Sequence, residues 1–427
     1  MDYRIFPPEE IVETTAELPV SKSIVARRLI LNYIAGGPAA ASATAGVDAC
    51  EDTRVLGGVL GAGLPCDGRA VDVHASGTAL RFLTALCAAT PGTDCVLCGV
   101  ERLHQRPIAE LVEALRNIGA NIEYVEKEGF APLRIRGAKL RGGRMQIDAS
   151  VSSQYISALM LASPLMANPL ELELRGDVQS APYITMTASL LDEQGQGGVE
   201  VEPYAVRVSV TTVKPSTAEP EADWSAAAFW YEIAAITAGW VTLPGLEQKS
   251  VQGDSRAREL FERLGVITEF TDDGAELSAS PEMYSHLDCD LSGTPDMAPA
   301  LAVTCAVLGV PFTLRGVKAL QSKESDRLEA LRQELLKVGC ICEIEAYGDV
   351  FLWEGKRAIV HELPRFDTYG DHRIAMALAP VACAAPGVII NDAEVVEKSY
   401  PDFWNQLRAA GFVVTDASEP LDEEEGE

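Results

Sequence analysis

Six times along this chain a run of about fifteen small and apolar residues starts directly behind a charged or hydroxyl-bearing cluster. The runs cover residues 24–35 behind Ser21-Lys22-Ser23, 79–89 behind Ser76-Gly77-Thr78, and 155–167 behind Ser152-Ser153-Gln154. They recur at 226–239 behind Asp223-Trp224-Ser225, at 297–310 behind Asp296, and at 374–385 behind Asp371-His372-Arg373. Their starts lie roughly 55 to 75 residues apart, the mark of a repeated supersecondary unit. A helix that is apolar on nearly every side has to be buried, so these helices belong inside with sheet around them. Their N-termini are ordinary caps or, where a base or an amide stands beside the cap, anion-binding ends.

A second pattern interleaves with the first. Amphipathic helices that end near a Gly and run into a strand are expected at 55–66, 111–124, 190–201, 260–270, 331–344 and 403–414, with Gly63, Gly119, Gly195 or Gly197, Gly265, Gly339 and Gly411 as stops. A buried helix, a half-exposed helix and short alternating strands point to six βαβαββ-like repeats. The fold class expected is α+β, built from α/β-type repeats. Six repeats exceed one core, so two domains of about 200 residues are expected. The seam is placed at 211–223, where Lys214-Pro215-Ser216-Thr217-Ala218-Glu219-Pro220-Glu221 reads as a polar, flexible connection. The boundaries that follow are 1–20 plus 223–427 for one domain and 21–222 for the other. Residues 416–427 are expected to be an acidic, disordered tail.

Net charge bounds the partners. Lys+Arg 35 against Asp+Glu 63 gives −28, which argues against nucleic acid and acidic membrane surfaces. An anionic ligand then needs locally converging bases. The ten cysteines sit singly or inside apolar runs, and the one CxxC, Cys95 to Cys98, has no second pair, so free thiols in a reducing cytoplasm are expected. Residues 1–17 carry charges and no apolar core, so no secretory leader is expected there. The longest uncharged stretch, 297–314, is broken by Pro299, Gly309 and Pro311 and reads as a buried helix and turn, not a membrane span. His74, His104, His286, His361 and His372 show no ligand spacing, so no metal is expected.

The clusters carry the chemistry. Lys22 and Ser23, with Arg27 one turn on, combine a helix N-terminus, a point charge and a planar fork, a set that suits phosphate or carboxylate. Ser152-Ser153-Gln154 offers hydroxyls and an amide at another helix start. Ser322-Lys323-Glu324-Ser325-Asp326-Arg327 is read as a helix first turn with Lys323 and Arg327 on one face and Glu324 beside them, a carboxylate suited to acid or base work. Asp371-His372-Arg373 adds three polar residues ahead of an apolar helix, and a lone Lys398 reads as surface.

These residues, taken in order, carry a family resemblance. The elements Leu18-Pro19-Val20-Ser21-Lys22-Ser23 with Arg27, Gly77-Thr78-Ala79-Leu80-Arg81, Gln105-Arg106-Pro107, Val151-Ser152-Ser153-Gln154, Ser180-Ala181-Pro182-Tyr183, Pro295-Asp296, Lys323-Glu324-Ser325-Asp326-Arg327, Asp371-His372-Arg373 and Lys398 recur in sequence. With them the chain closely resembles the EPSP synthase (3-phosphoshikimate 1-carboxyvinyltransferase) family of enolpyruvyl transferases over nearly its whole length. It departs from the family's usual residues at Val20, where Gly is common, at Gly370, and at Ala319, where many members carry an Asn that touches shikimate.

The resemblance implies a two-domain inverse α/β barrel, each domain three βαβαββ units with buried helices, closing like a hinge over its substrates. The implied reaction joins the 5-hydroxyl of shikimate 3-phosphate to C2 of phosphoenolpyruvate and expels phosphate, without a cofactor, in the shikimate pathway to chorismate. It implies Lys22, Ser23, Arg27, Ser152, Ser153, Gln154, Ser180, Tyr183, Asp296 and Lys323 at shikimate 3-phosphate. Lys22, Gly77, Arg106, Gln154, Arg327, Arg373 and Lys398 are implied at phosphoenolpyruvate. Asp296 is read as base and Glu324 as proton relay, with Lys22 and His372 assisting. Glyphosate, an anionic phosphonate, is implied to occupy the phosphoenolpyruvate site. The expected protein is a monomer in the cytoplasm. The related transferase acting on UDP-N-acetylglucosamine is a poorer match, because its first motif carries Lys-Asn where this chain has Lys22-Ser23. A catalytically silent anion binder is the other alternative, and Asp296 and Glu324 speak against it, since a pure anion binder gains nothing from buried carboxylates.

Overall fold

A computed structural model describes residues 1–44, 50–359 and 363–419. His361 and residues 420–427 of the acidic C-terminal stretch lie outside the described residues. In chain order the structure runs β1 (Tyr3–Phe6), β2 (Glu13–Thr15), α1 (Lys22–Thr44), α2 (Glu51–Ala62), β3 (Cys66–Asp72), α3 (Gly77–Ala89), β4 (Asp94–Cys98), α4 (Glu101–His104), α5 (Ala109–Asn117), β5 (Asn121–Tyr124), β6 (Leu133–Arg136), β7 (Gly143–Asp148), α6 (Ser153–Ala162), β8 (Leu170–Arg175), α7 (Ala181–Gly195), β9 (Val199–Glu202) and β10 (Ala205–Val208). It continues with α8 (Trp224–Thr237), β11 (Trp240–Pro244), α9 (Ala257–Glu262), β12 (Val266–Phe270), β13 (Gly274–Ala279), β14 (Leu287–Asp290), α10 (Ala298–Leu308), β15 (Phe312–Arg315), α11 (Arg327–Leu336), β16 (Glu343–Glu345), β17 (Val350–Trp353), β18 (Arg365–Phe366), α12 (His372–Leu378), β19 (Val388–Ile390), α13 (Phe403–Ala409) and β20 (Val413–Asp416).

One topology recurs in the four-stranded sheets β3-β4-β6-β5, β7-β8-β10-β9, β2-β11-β13-β12, β14-β15-β17-β16 and β18-β19-β1-β20. In β3-β4-β6-β5, β7-β8-β10-β9 and β14-β15-β17-β16, two parallel strands are joined through a buried helix, and a second helix leads to a hairpin whose return strand pairs antiparallel with the second of them, whereas the parallel strands β2 and β11 are separated in the chain by the whole second unit. The last sheet is closed by the chain's beginning, since β1 pairs antiparallel with both β19 and β20, with Tyr3 opposite Asp416. The sixth helix pair departs from this pattern. Before β3 the described residues around α1 and α2 contain no strand, and α1 instead continues past a kink at Gly37 and Pro38. Residues 39–44, Ala-Ala-Ala-Ser-Ala-Thr, are strong helix formers with almost no β-branching, which accounts for the change.

Two compact units divide the chain. The first holds Met1–Leu18, Ala222–Gln248 and Asp254–Glu427, the second Pro19–Glu221 and Lys249–Gly253. In the first, α8, α10 and α12 touch one another, and in the second α1, α3 and α6 do. α10, reading Ala-Pro-Ala-Leu-Ala-Val-Thr-Cys-Ala-Val-Leu, is small-residue and apolar all round, so it packs closely and buries nearly every residue, while α1 also carries Arg27, Arg28 and Asn32. Each fully buried side chain such as Leu301 contributes about 1.5–3 kcal/mol of transfer free energy. Among the described residues no helix is long and apolar enough to cross a membrane.

The segment read as a flexible seam is tethered along α1. Asn32 brackets Ser216, donating to its carbonyl at 3.0 Å and accepting its N–H at 2.8 Å. Arg28 donates to the Ala218 carbonyl at 2.8 Å, and Gln194 to the Lys214 carbonyl at 2.9 Å. Polar composition therefore reports paired backbone here, not freedom. The stop of α7 also differs in detail: Gln196 takes the left-handed conformation, with Gly197 after it at φ 94. Gly195 is small for another reason, because a Cβ there would lie 2.6 Å from Val210.

One core residue breaks the apolar rule. Glu232 on α8 is fully buried, and neither carboxylate oxygen has a hydrogen-bond partner among the described residues. Burial pushes this carboxyl well above the usual range, so the folded state holds it neutral while the unfolded chain ionises near pH 4–5. The unfolded state alone then sheds a proton as pH rises, and stability falls from that pH upward. Glu232→Met is expected to raise stability at pH 8 by about 1–3 kcal/mol and by less at pH 5. Thermal midpoints at both pH values check this, and an equal change at both would refute it.

Candidate active site

In the first unit the charged residues converge on Arg327, which opens α11 and is about 2% exposed. Its guanidinium reaches Asp296 Oδ1 at 2.8 Å, Glu324 Oε2 at 2.8 Å and Asp371 at 2.7 and 3.2 Å. Lys323 adds a contact to Asp296 Oδ1 at 3.1 Å, Arg373 one to Asp296 Oδ2 at 3.5 Å, and Lys398 one to Glu324 Oε1 at 3.4 Å. Four cations against three carboxylates leave one positive charge, the balance an anion site needs.

Local folding explains each position. Asp296 sits in the 3₁₀ turn Pro295–Met297 that leads into α10. Asp371 caps α12 by accepting the Arg373 N–H at 3.0 Å, and it takes the Ser325 hydroxyl at 3.1 Å, so its oxygens are saturated and it fixes Arg327. His372 begins α12 beside it, buried, with Nδ1 3.9 Å from Asp371 Oδ1. Burial alone would push Asp296 up, but Lys323, Arg373 and Arg327 outweigh it against Glu324 and hold the carboxyl well below the usual range. Burial opposes the charge on Arg327, yet Asp371, Glu324 and Asp296 outweigh it and raise its proton affinity.

Two expectations change here. Lys323 and Arg327 do not share a helix face: Lys318–Ser322 is a 3₁₀ turn, Asp326 is the N-cap of α11 through Glu329 N–H, and Lys323 and Glu324 lie in the loop before it. They meet through Asp296, not through helical spacing. Glu324 is consequently bound by Arg327 and Lys398, while Lys323 turns to Asp296. Lys398 ends the 3₁₀ turn Ala393–Lys398 and is buried, not a surface lysine.

In the second unit Arg27 is a buried cation. It donates to Thr187 Oγ1 at 2.7 Å, Ser157 Oγ at 3.2 Å and the Ser23 and Tyr183 carbonyls at 2.9 and 3.3 Å, and it lies over the rings of Phe82 and Tyr183. Its hydrogen-bond partners are neutral, and burial lowers its pKa to about 10, so it stays charged at neutral pH. Lys22, the first residue of α1, pairs with Asp52 at 3.1 Å. Ser152 caps α6, on which Ser153 and Gln154 form the first turn, and Gln154 donates to Thr78 Oγ1 at 3.1 Å. Ser180 stands at the N-cap of α7 in the left-handed conformation, φ 53, three residues before Tyr183. Gly77 opens α3 against Arg81 and Arg106, both buried, and its carbonyl accepts from Arg81 at 2.9 Å. Sequence reasoning missed the roles of Asp52, which reads as a helix-dipole acid in the first turn of α2, and of Ser157 and Thr187, which read as helix interior.

The family model for EPSP synthase (3-phosphoshikimate 1-carboxyvinyltransferase) matches residues 48–407. A 3-phosphoshikimate 1-carboxyvinyltransferase of Bacteroides fragilis (strain YCH46) is 42% identical over 413 residues, covering 96% of this chain and 98% of that one. The chain belongs to the EPSP synthase family. A further member named 3-phosphoshikimate 1-carboxyvinyltransferase, from Yersinia pestis bv. Antiqua (strain Angola), is 34% identical over 94% of this chain and 96% of its own. An EPSP synthase structure from Acinetobacter baumannii shares the fold with a TM-score of 0.71 at 22% identity, covering 97% of this chain and 100% of that chain. The two-domain inverse α/β architecture of EPSP synthases is thus the architecture of this chain.

Proposed function

We propose that this chain is a 3-phosphoshikimate 1-carboxyvinyltransferase, which moves the enolpyruvyl group of phosphoenolpyruvate to the 5-hydroxyl of shikimate 3-phosphate and releases phosphate. The observation that carries this reading is the buried knot of four cations and three carboxylates around Arg327, in a chain of this family. Arg327, Arg373 and Lys398 meet the charge of phosphoenolpyruvate. The family resemblance assigns Arg106, Gly77, Gln154 and Lys22 to phosphoenolpyruvate as well. Arg27, Ser23, Ser152, Ser153, Ser180 and Tyr183 take the phosphate and carboxylate of shikimate 3-phosphate, and Lys323 also serves that ligand.

Asp296 takes the 5-hydroxyl proton as that oxygen bonds to C2, and Glu324 delivers a proton to C3. The tetrahedral adduct then loses phosphate while a C3 proton leaves and the double bond re-forms. Lys22 and His372 assist these proton transfers. The cations that hold Asp296 ionised are the ones the incoming anion engages. Substrate charge therefore offsets them and raises the basicity of Asp296 when it is needed. Ten free thiols suit a reducing cytoplasm, where we place the reaction, carried out by a monomer.

The expected result in a phosphate-release assay is turnover of phosphoenolpyruvate only when shikimate 3-phosphate is present, because a substrate hydroxyl, not water, is the nucleophile. Release driven by UDP-N-acetylglucosamine instead would overturn the assignment.

A further inference from the structure

Asp254 lies on the 3₁₀ turn Gly253–Arg256, is about 2% exposed, and makes no hydrogen bond to a member of the charged knot among the described residues. Ser225 Oγ, near the start of α8, donates to Asp254 Oδ2. Oδ1 is buried and has no hydrogen-bond partner among the described residues. The N-terminus of α8 does not need this carboxylate, because Asp223 already accepts the N–H groups of Ser225 and Ala226 at 2.7 and 3.1 Å. α8, which begins one residue before Ser225, touches both the turn that carries Asp296 and α12, which carries Arg373.

The charges of Arg373 on α12, Asp296 on the turn before α10 and Asp223 at the N-cap of α8 act on Asp254, and the Ser225 hydroxyl is bonded to it. On its own turn, Arg256 donates to the Asp290 carbonyl at 2.6 Å. We propose that Asp254 is a positioning residue for the anion at Arg373: it takes up a proton as the ligand's negative charge arrives, so that a carboxylate charge acting on the knot's cations is removed on binding. The inference rests on the reading above that Arg373 meets phosphoenolpyruvate. The knot's four cations meet three carboxylates, and an ionised Asp254 adds a further negative charge that its protonation removes. Burial pushes this carboxyl up, Arg373 and the Ser225 hydrogen bond oppose the rise, Asp296 and Asp223 add to it, and it comes to about 6. A new negative charge nearby favours the protonated form further, which brings the group across neutral pH.

Because proton uptake accompanies binding, the KM for phosphoenolpyruvate should rise in the wild type as pH increases from 6 to 8. Asp254→Asn is permanently neutral and lacks this contribution, and the ligand's own ionisation is common to both proteins. The ratio of wild-type to Asp254→Asn KM is therefore expected to grow about threefold to tenfold across that range, the scale of one pKa unit of coupling or less. Ser225→Ala removes the hydrogen bond that favours the ionised form, and it should shift the wild-type rise to higher pH. Calorimetry of phosphoenolpyruvate binding in two buffers of different ionisation enthalpy should show less proton uptake in Asp254→Asn than in the wild type. A flat KM ratio with equal proton uptake, or a Ser225→Ala profile that superimposes on the wild type, would overturn the inference while leaving the reaction intact. A wild type that releases no phosphate with shikimate 3-phosphate present overturns the reaction and this inference together.

Discussion

Turnover of Glu324→Gln and of Asp296→Asn is expected to fall about a hundredfold or more, the scale typical of a lost proton transfer, while shikimate 3-phosphate binding changes far less. Both substitutions keep the shape of the side chain and one oxygen that can still accept from Arg327, now bonded at 2.8 Å to each carboxylate. What disappears is the ability to accept and return a proton. Arg327 retains Asp371, which binds it through two nitrogens, so the knot keeps its anchor. Thermal midpoints should therefore move much less than for removal of Arg327 itself, where three carboxylates would lose their buried cation and about 3–5 kcal/mol would go. Calorimetry separates the alternatives: if shikimate 3-phosphate binding vanished together with turnover, the two carboxylates would be structural and the acid–base assignment wrong.

Much of this arrangement is legible in the sequence because burial on all faces restricts composition so strongly. A helix such as α10 admits little besides small and apolar residues, and the polar clusters that precede the six runs stand out against them. The strand order is less visible. Nothing local shows that β1 completes a sheet with β19 and β20 from the other end of the chain, since that pairing is decided by the closed repeat. The loss of strands around α1 is visible only in hindsight, in the alanines of residues 39–44. Ion pairing is the least legible feature. Lys22 finds Asp52 thirty residues on, and Arg327 finds Asp371 forty-four residues on. Helical spacing suggests instead that Lys323 and Arg327 share a face, whereas tertiary structure brings both to the same oxygen of Asp296. Asp254 reads as one more loop acid until burial and Ser225 single it out.

Clear resistance to glyphosate is expected in Gly77→Ala, with the wild type inhibited in competition with phosphoenolpyruvate. The family resemblance places this phosphonate in the phosphoenolpyruvate site, and the structure supplies a reason for sensitivity to one methyl group. A Cβ on Gly77 would stand 2.5 Å from Nη1 of Arg106 and 2.5 Å from Nη1 of Arg81, and 2.9 Å from Cζ of Arg106. These atoms are the ends of flexible side chains, so the fold tolerates alanine and the cost falls on the guanidinium positions. Arg81 is held by the carbonyls of Gly77 and Pro107 at 2.9 and 3.4 Å and lies over the Tyr155 ring. The methyl group meets Arg106 as closely as it meets Arg81, and Arg106 is one of the cations assigned to the anion. A displacement of this kind is worth roughly 1–3 kcal/mol, about tenfold to a hundredfold in inhibitor affinity. The KM for phosphoenolpyruvate should rise by less, since the inhibitor is the longer ligand and needs the space that the methyl group takes. Steady-state inhibition constants of the two proteins measured side by side decide it, and equal inhibition of wild type and Gly77→Ala would show that Gly77 does not line the site.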